Sequence, residues 1–204
     1  MTERDDQALL RVAGVGHFYG RIRGCEDVSF DLYRGEVIGI VGESGSGKST
    51  LLNLLSARLA PSAGRVIFRD RLGQDLDVHR ISEPERRLLM RTDWAFVHQN
   101  PRDGLRMGVS AGANVGERLM AIGQRHYGNI RGQATDWLDK VEVDTGRIDD
   151  LPSTFSGGMQ QRLQIARNLV TQPRLAFMDE PTGGLDVSVQ ARLLDLLRNL
   201  VATL

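Results

Sequence analysis

One cysteine, Cys25, stands in 204 residues, which excludes an internal disulfide and any metal cluster built on several thiolates. Charge of one sign is not in excess. Lys and Arg number 26 against 26 Asp and Glu, so the basic face that non-specific nucleic-acid binding requires is missing. Long apolar runs are absent too. Val37–Val41 is typical of the longest, while a bilayer-spanning helix takes about 20 residues. The opening Met1–Gln7 is polar and charged, unlike a secretory signal. There is no internal repeat and no low-complexity tract. The expectation is a cytoplasmic protein with no transmembrane segment and no direct nucleic-acid partner, whose membrane role, if it has one, comes through another subunit. What is present is ordinary globular material, 41% hydrophobic and 25% charged, of a length that suits one sizeable domain.

The N-terminal part alternates β-rich pieces with turns. Leu10–Tyr19 and Cys25–Tyr33 read as strands joined by a turn at Gly20–Gly24. Glu36–Val41 is a short apolar run of the kind found in a strand buried on both faces. A glycine-rich loop leads into a helix from Lys48 to about Leu59, closed by Pro61 and Gly64. Gly64–Arg69 reads as a strand, Ser82–Arg91 as a helix with a capping box from Ser82 to Glu85, and Asp93–His98 as a strand. Between Pro101 and Pro152 the pattern turns helical, at Ala113–Ile122 and Ile130–Val141, and behaves as an insertion. A helix from Ser156 to Val170, a buried strand Arg174–Met178, and a last helix Val187–Ala202 follow. Val189, Leu193, Leu196, Leu197 and Leu200 form one apolar stripe on that last helix. Alternating strands and helices predict an α/β fold with a largely parallel sheet.

Three motifs carry chemistry. Gly42-Glu43-Ser44-Gly45-Ser46-Gly47-Lys48-Ser49 fits a phosphate-binding loop. Its glycines let backbone N–H groups converge on phosphate oxygens, Lys48 supplies positive charge, and Ser49 offers a hydroxyl to Mg²⁺. Leu175-Ala176-Phe177-Met178-Asp179-Glu180 is an apolar strand ending in two carboxylates. Asp179 is placed to hold a metal, and Glu180 to orient or deprotonate an attacking water. Ser156-Gly157-Gly158-Met159-Gln160 opens a helix, where bare N–H groups favour an anion.

Taken in order, these motifs resemble the ATP-binding subunits of ABC systems along the whole chain. The resemblance makes Gly42–Ser49 the Walker A loop, Gln99 the Q-loop glutamine, Ser156–Gln160 the signature loop, Leu175–Glu180 the Walker B strand, and Gly184-Leu185-Asp186 the D-loop. It implies a P-loop core, residues 1–100 and 153–204, with an N-terminal antiparallel β subdomain and a helical subdomain at 101–152. It implies ATP and Mg²⁺ as cofactors. Tyr19 would stack on adenine, and Gly42 through Thr50 would hold the phosphates. Ser49, Gln99 and Asp179 would serve the metal, and Glu180, Gln99 and Lys48 would serve catalysis. Ser156, Gly157, Gly158, Met159 and Gln160 would cover the ATP of a second ATP-binding subunit, identical or not, with Asp186 nearby. The short stretch between Gln99 and Ser156 carries no heptad run, unlike the coiled-coil chromosome and repair relatives.

Arg106–Met120, Arg125–Gly128, Phe155–Met159 and Pro181–Gln190 are similar to the ATP-binding subunits of carbon–phosphorus lyase systems, which act on phosphonates and are themselves similar to oligopeptide and dipeptide importer ATPases. The partner implied is a lyase core complex or a membrane permease, and the location cytoplasmic or peripheral at the inner membrane face. A nucleotide-binding regulator without turnover is the further alternative. Phe155 and Met159 stand where Leu and Gln are usual in the signature, and Gly184 where Ala is usual. The family's switch histidine has no counterpart, since His17, His79, His98 and His126 all precede the Walker B strand. His98, beside Gln99, reads as a strand-end residue. The expectation is therefore a chain cut short before a further strand, with weakened ATP binding and uncovered apolar surface beside Glu36–Val41 and Arg174–Met178.

Overall fold

A computed structural model describes residues 7–183 together with residues 187, 190, 191, 194, 195, 197 and 198. The chain divides into two units, the break falling between Arg87 and Leu88.

The first unit is built on an antiparallel sheet. β1 (Leu10–Tyr19) and β2 (Ile22–Leu32) form a hairpin, extended by β3 (Ala63–Arg69) and β4 (Asp75–Asp77) in the order β2-β1-β3-β4. The hairpin turns on Gly20 and Arg21 alone, with Tyr19 opposite Ile22, so β2 starts earlier than the expected Cys25. The register of β1 shifts between Val12 and Val15, around Gly14 at φ +58°. This bulge turns both valines into the core, which strict alternation would forbid. β3 crosses closely there: a Cβ on Gly64 would overlap the Gly14 carbonyl. α1 (Lys48–Leu55) lays Leu51, Leu54 and Leu55 into the interior against β1 and β2. Each fully buried Leu, Val or Phe here contributes about 1.5–3 kcal/mol. The helix stops short of Leu59 because Ala57 turns left-handed, at φ +55°, and Arg58 N–H reaches back to Asn53 O.

The expected strand Glu36–Val41 is not one. No ladder includes it, and Val37 and Val41 are 75% and 96% exposed. A strand buried on both faces needs neighbours on both edges. Among the described residues the sheet of the first unit has four strands, and none of them pairs with this segment. Its apolar side chains lie exposed, which corrects the expected burial on both faces.

α2 (Glu83–Thr92) runs across the break between the units. Its capping box is formed: the Ser82 hydroxyl and Ser82 N–H both donate to Glu85 Oε2, at 2.6 and 2.8 Å, which holds the Glu85 carboxyl below the usual carboxylate range. In the second unit, β5 (Trp94–Val97) and β6 (Leu175–Met178) pair in parallel, Trp94 opposite Leu175 and Val97 opposite Met178. β6 is half-buried, with Leu175 and Phe177 inside and Ala176 exposed; β5 is its ladder partner among the described residues. α3 (Pro101–Gly104), α4 (Ala111–Ala121), α5 (Tyr127–Lys140) and α6 (Gly157–Leu169) belong to this unit. Val97, Val115, Leu119, Ala134, Leu138 and Leu163 meet in one core, and Leu197 packs against it. The other described residues of the expected last helix have helical backbone, while Val189, Leu193, Leu196 and Leu200 lie outside the described residues. No helix among the described residues is long and apolar enough to cross a membrane.

Candidate functional site

The sequence motifs fall into two groups, one on each unit. In the first unit the glycine-rich loop enters α1 through Gly47, at φ +93° and ψ 9°. That left-handed conformation is open to glycine, and a Cβ at Gly47 would overlap the Gly24 carbonyl of β2. The loop is thereby seated on the β1–β2 hairpin. Neither a capping side chain nor an acidic residue occupies the first turn of α1, so the dipole there favours an anion. Lys48 Nζ donates to Gly42 O at 2.9 Å and Glu43 O at 2.8 Å, which folds the ammonium back over the loop. Ser46 N–H donates to Glu43 O at 3.2 Å and closes the turn. Tyr19, at the end of β1, is half exposed; its ring meets His17 edge-on at 4.5 Å, and its hydroxyl lies 3.4 Å from Thr50 Oγ1. Tyr19, the loop and Thr50 are thus brought together within the first unit.

The second group lies at the C-terminal ends of β5 and β6. Asp179 N–H continues the ladder by donating to Val97 O at 3.0 Å. Gln99 and Glu180 follow these two strands, and Gln99 Nε2 donates to Glu180 Oε2 at 2.8 Å. Glu180 sits at φ +42°, an unusual place for a non-glycine residue, in a turn closed by Gly183 N–H to Glu180 O at 2.8 Å. Behind Gln99 lies fully buried Gln164 of α6. Its amide accepts from His98 N–H and donates to His98 O at 3.1 Å, fixing the backbone one residue before Gln99. Gln164 was not foreseen as part of the site. The signal was there: an amide among Leu163, Ile165 and Ala166 on a buried face needs polar partners.

Ser156 caps α6, its Oγ accepting from Met159 N–H at 3.3 Å, and Gly157 opens the helix. Gln160 turns inward; its buried amide donates to Pro152 O at 2.9 Å and Phe155 O at 3.0 Å. Its side chain therefore holds the loop from within. Asp186 lies outside the described residues.

A glycine-rich turn at a helix N-terminus followed by Lys-Ser, with an Asp-Glu pair closing a parallel strand, defines the P-loop nucleotide-binding class. Comparison with known proteins narrows this. The ABC transporter family matches residues 25–183. The chain is 63% identical to the phosphonates utilization ATP-binding protein PhnK of Escherichia coli, over 98% of this chain and 77% of that protein. It is 36% identical to the dipeptide transport ATP-binding protein DppD of Escherichia coli, over 95% of this chain and 61% of that one. Its structure resembles the ATP-binding cassette MJ0796, solved as a dimer in a post-hydrolysis state bound to ADP and Pi, with TM-score 0.82, 28% identity, and 94% and 82% of the two chains covered. This chain belongs to the ABC transporter family, as one of its ATP-binding members.

Proposed function

We propose that this chain binds ATP with Mg²⁺ and hydrolyses it as one of a pair of ATP-binding subunits, and that the pair drives a phosphonate-handling system. The observation that carries the hydrolytic part is the 2.8 Å hydrogen bond between Gln99 and Glu180. It orients a carboxylate at the strand end, where a general base for water is required. The amide nitrogen of Gln99 is used on Glu180, so its oxygen is the atom left to serve a metal. That oxygen and the Asp179 carboxylate on the second unit, and the Ser49 hydroxyl on the first, are each oxygen donors of the kind Mg²⁺ takes. Among the described residues no group of three or more His, Cys, Asp or Glu could hold a metal alone. When bound, Mg²⁺ neutralises charge on the phosphates. Lys48 and the N–H groups of the loop hold the phosphates, and Tyr19 offers a ring face to the adenine.

Ser156, Gly157 and Gly158 then act on the ATP of the second subunit, since donors aimed at a transferring phosphoryl group stabilise its charge. The helical segment 101–152 is the surface that meets the rest of the complex. Similarity to PhnK favours a carbon–phosphorus lyase core as that partner. Similarity to DppD supports a second reading, a membrane permease that imports a phosphonate or peptide. In both settings the subunit is cytoplasmic or peripheral at the inner membrane face.

Two measurements test this. Mg²⁺-dependent phosphate release from ATP is expected, and it disappears in Lys48→Ala; tight ATP binding with no release in the unsubstituted protein would mark a regulator instead. Affinity purification from cells is expected to bring down lyase subunits. Recovery of permease subunits without them would transfer the assignment to import.

A further inference from the structure

We propose that Arg147 is a positioning residue for the signature loop, the element that, on the reading above, covers a second subunit's ATP. Arg147 ends a 3-10 turn, Thr145–Arg147. All three of its guanidinium nitrogens are engaged around the loop. Nε donates to Asp150 Oδ2 at 2.7 Å, Nη1 to Met159 Sδ at 3.7 Å, and Nη2 to Thr154 O at 3.3 Å and Thr154 Oγ1 at 3.0 Å. The guanidinium also lies over the Phe155 ring, 4.5 Å from its centroid. A planar cation that forks to several acceptors while stacking on an aromatic face is work for arginine and not for lysine.

These contacts bracket Ser156. Thr154 and Phe155 precede it, and Met159 gives its N–H to the Ser156 hydroxyl. Phe155 is buried, and its carbonyl is taken by Gln160 from the inner side. The loop is thus held between Gln160 within and Arg147 at its margin, which leaves Gly157 and Gly158 at the free helix end. The anchor of Arg147 is itself tied down: Asp150 O and Ile148 O accept from Ala111 N–H and Gly112 N–H, each at 2.8 Å, at the start of α4. Arg147 therefore links the signature loop to the first turn of α4.

The test uses Arg147→Gln and Arg147→Lys in the full chain. Hydrogen exchange is followed at the amides of Thr154, Phe155, Met159 and Gln160, which bond to Leu151 O, Pro152 O, Ser156 Oγ and Ser156 O. Both variants are expected to speed exchange there about tenfold, with the α6 interior at Ile165 and Ala166 unchanged. Faster exchange along all of α6 would mean general unfolding and overturn the proposal, as would no change at the loop. Sedimentation with ATP in a Glu180→Gln background supplies the functional readout. Arg147→Gln is expected to weaken ATP-dependent pairing about tenfold at unchanged ATP affinity. In a Phe155→Leu/Met159→Leu background, which removes the ring face and the sulfur, the further loss falls to about threefold or less. Full additivity would contradict the shared role. Local loosening with no ATP-dependent pairing even in the parent protein would instead overturn the two-subunit reading on which the proposal rests.

Discussion

Replacing Gln164 with Leu probes how the second unit holds its chemistry. The side chain is fully buried, and both ends of its amide serve the His98 backbone. Leucine has similar volume, so no large cavity forms, but His98 N–H and C=O lose their partners. An unsatisfied buried backbone group costs about 1–3 kcal/mol. His98 is half-buried, so water compensates in part, and the sum comes to about 2–4 kcal/mol. Both tryptophans, Trp94 and Trp137, belong to the second unit, so tryptophan fluorescence excited at wavelengths where tyrosine does not absorb follows that unit. With a urea slope of about 1–2 kcal/mol/M, the midpoint should fall by roughly 1–4 M. Freed from Gln164, the backbone at Gln99 should also let the Gln99–Glu180 bond open, so turnover drops while ATP affinity stays. A midpoint shift below about 0.3 M would refute the reasoning, because the loss of both Gln164–His98 hydrogen bonds cannot cost so little.

Gly47→Ala meets both a left-handed backbone and the Gly24 carbonyl, so it should lose at least about 2 kcal/mol of stability and abolish binding of a fluorescent ATP analogue. His79 is half-buried with Nε2 2.9 Å from Leu54 O, and burial pushes its pKa below the ordinary 6.5. The folded state then binds this proton at lower pH than the unfolded chain does. Stability contributed by the neutral ring is complete above about pH 6.5 and declines as pH falls below it toward the folded value. Urea midpoints read by circular dichroism at pH 7.5 and 5.5 should show a smaller difference in His79→Gln than in the parent.

Much of this was legible because it is local. β1 has the expected bounds, and the helices at Lys48, Ser82 and Ser156 announce themselves through glycine or capping residues. α5 begins at Tyr127, well before Ile130, because its cap is His126, whose Nδ1 accepts from Asn129 N–H at 3.2 Å. Histidine is not an expected cap, and Gly128 and Asn129 are poor helix formers. Glu36–Val41 shows the opposite failure. Its composition is that of a strand, but a strand exists only with a partner, and partners are not written in the segment itself. The same division holds at the site. Contiguous motifs named Gly42–Thr50 and Ser156–Gln160, whereas Gln164 and Arg147 act through contacts distant along the chain and stood out in no pattern.

The central claim is hydrolysis with Glu180 as the base. Phosphate release from Mg·ATP, compared between the parent protein and Glu180→Gln alongside the ATP affinity of each, tests it most directly. Loss of a general base should slow release about 10²–10⁴-fold with affinity unchanged. Equal release from the two proteins would contradict the account.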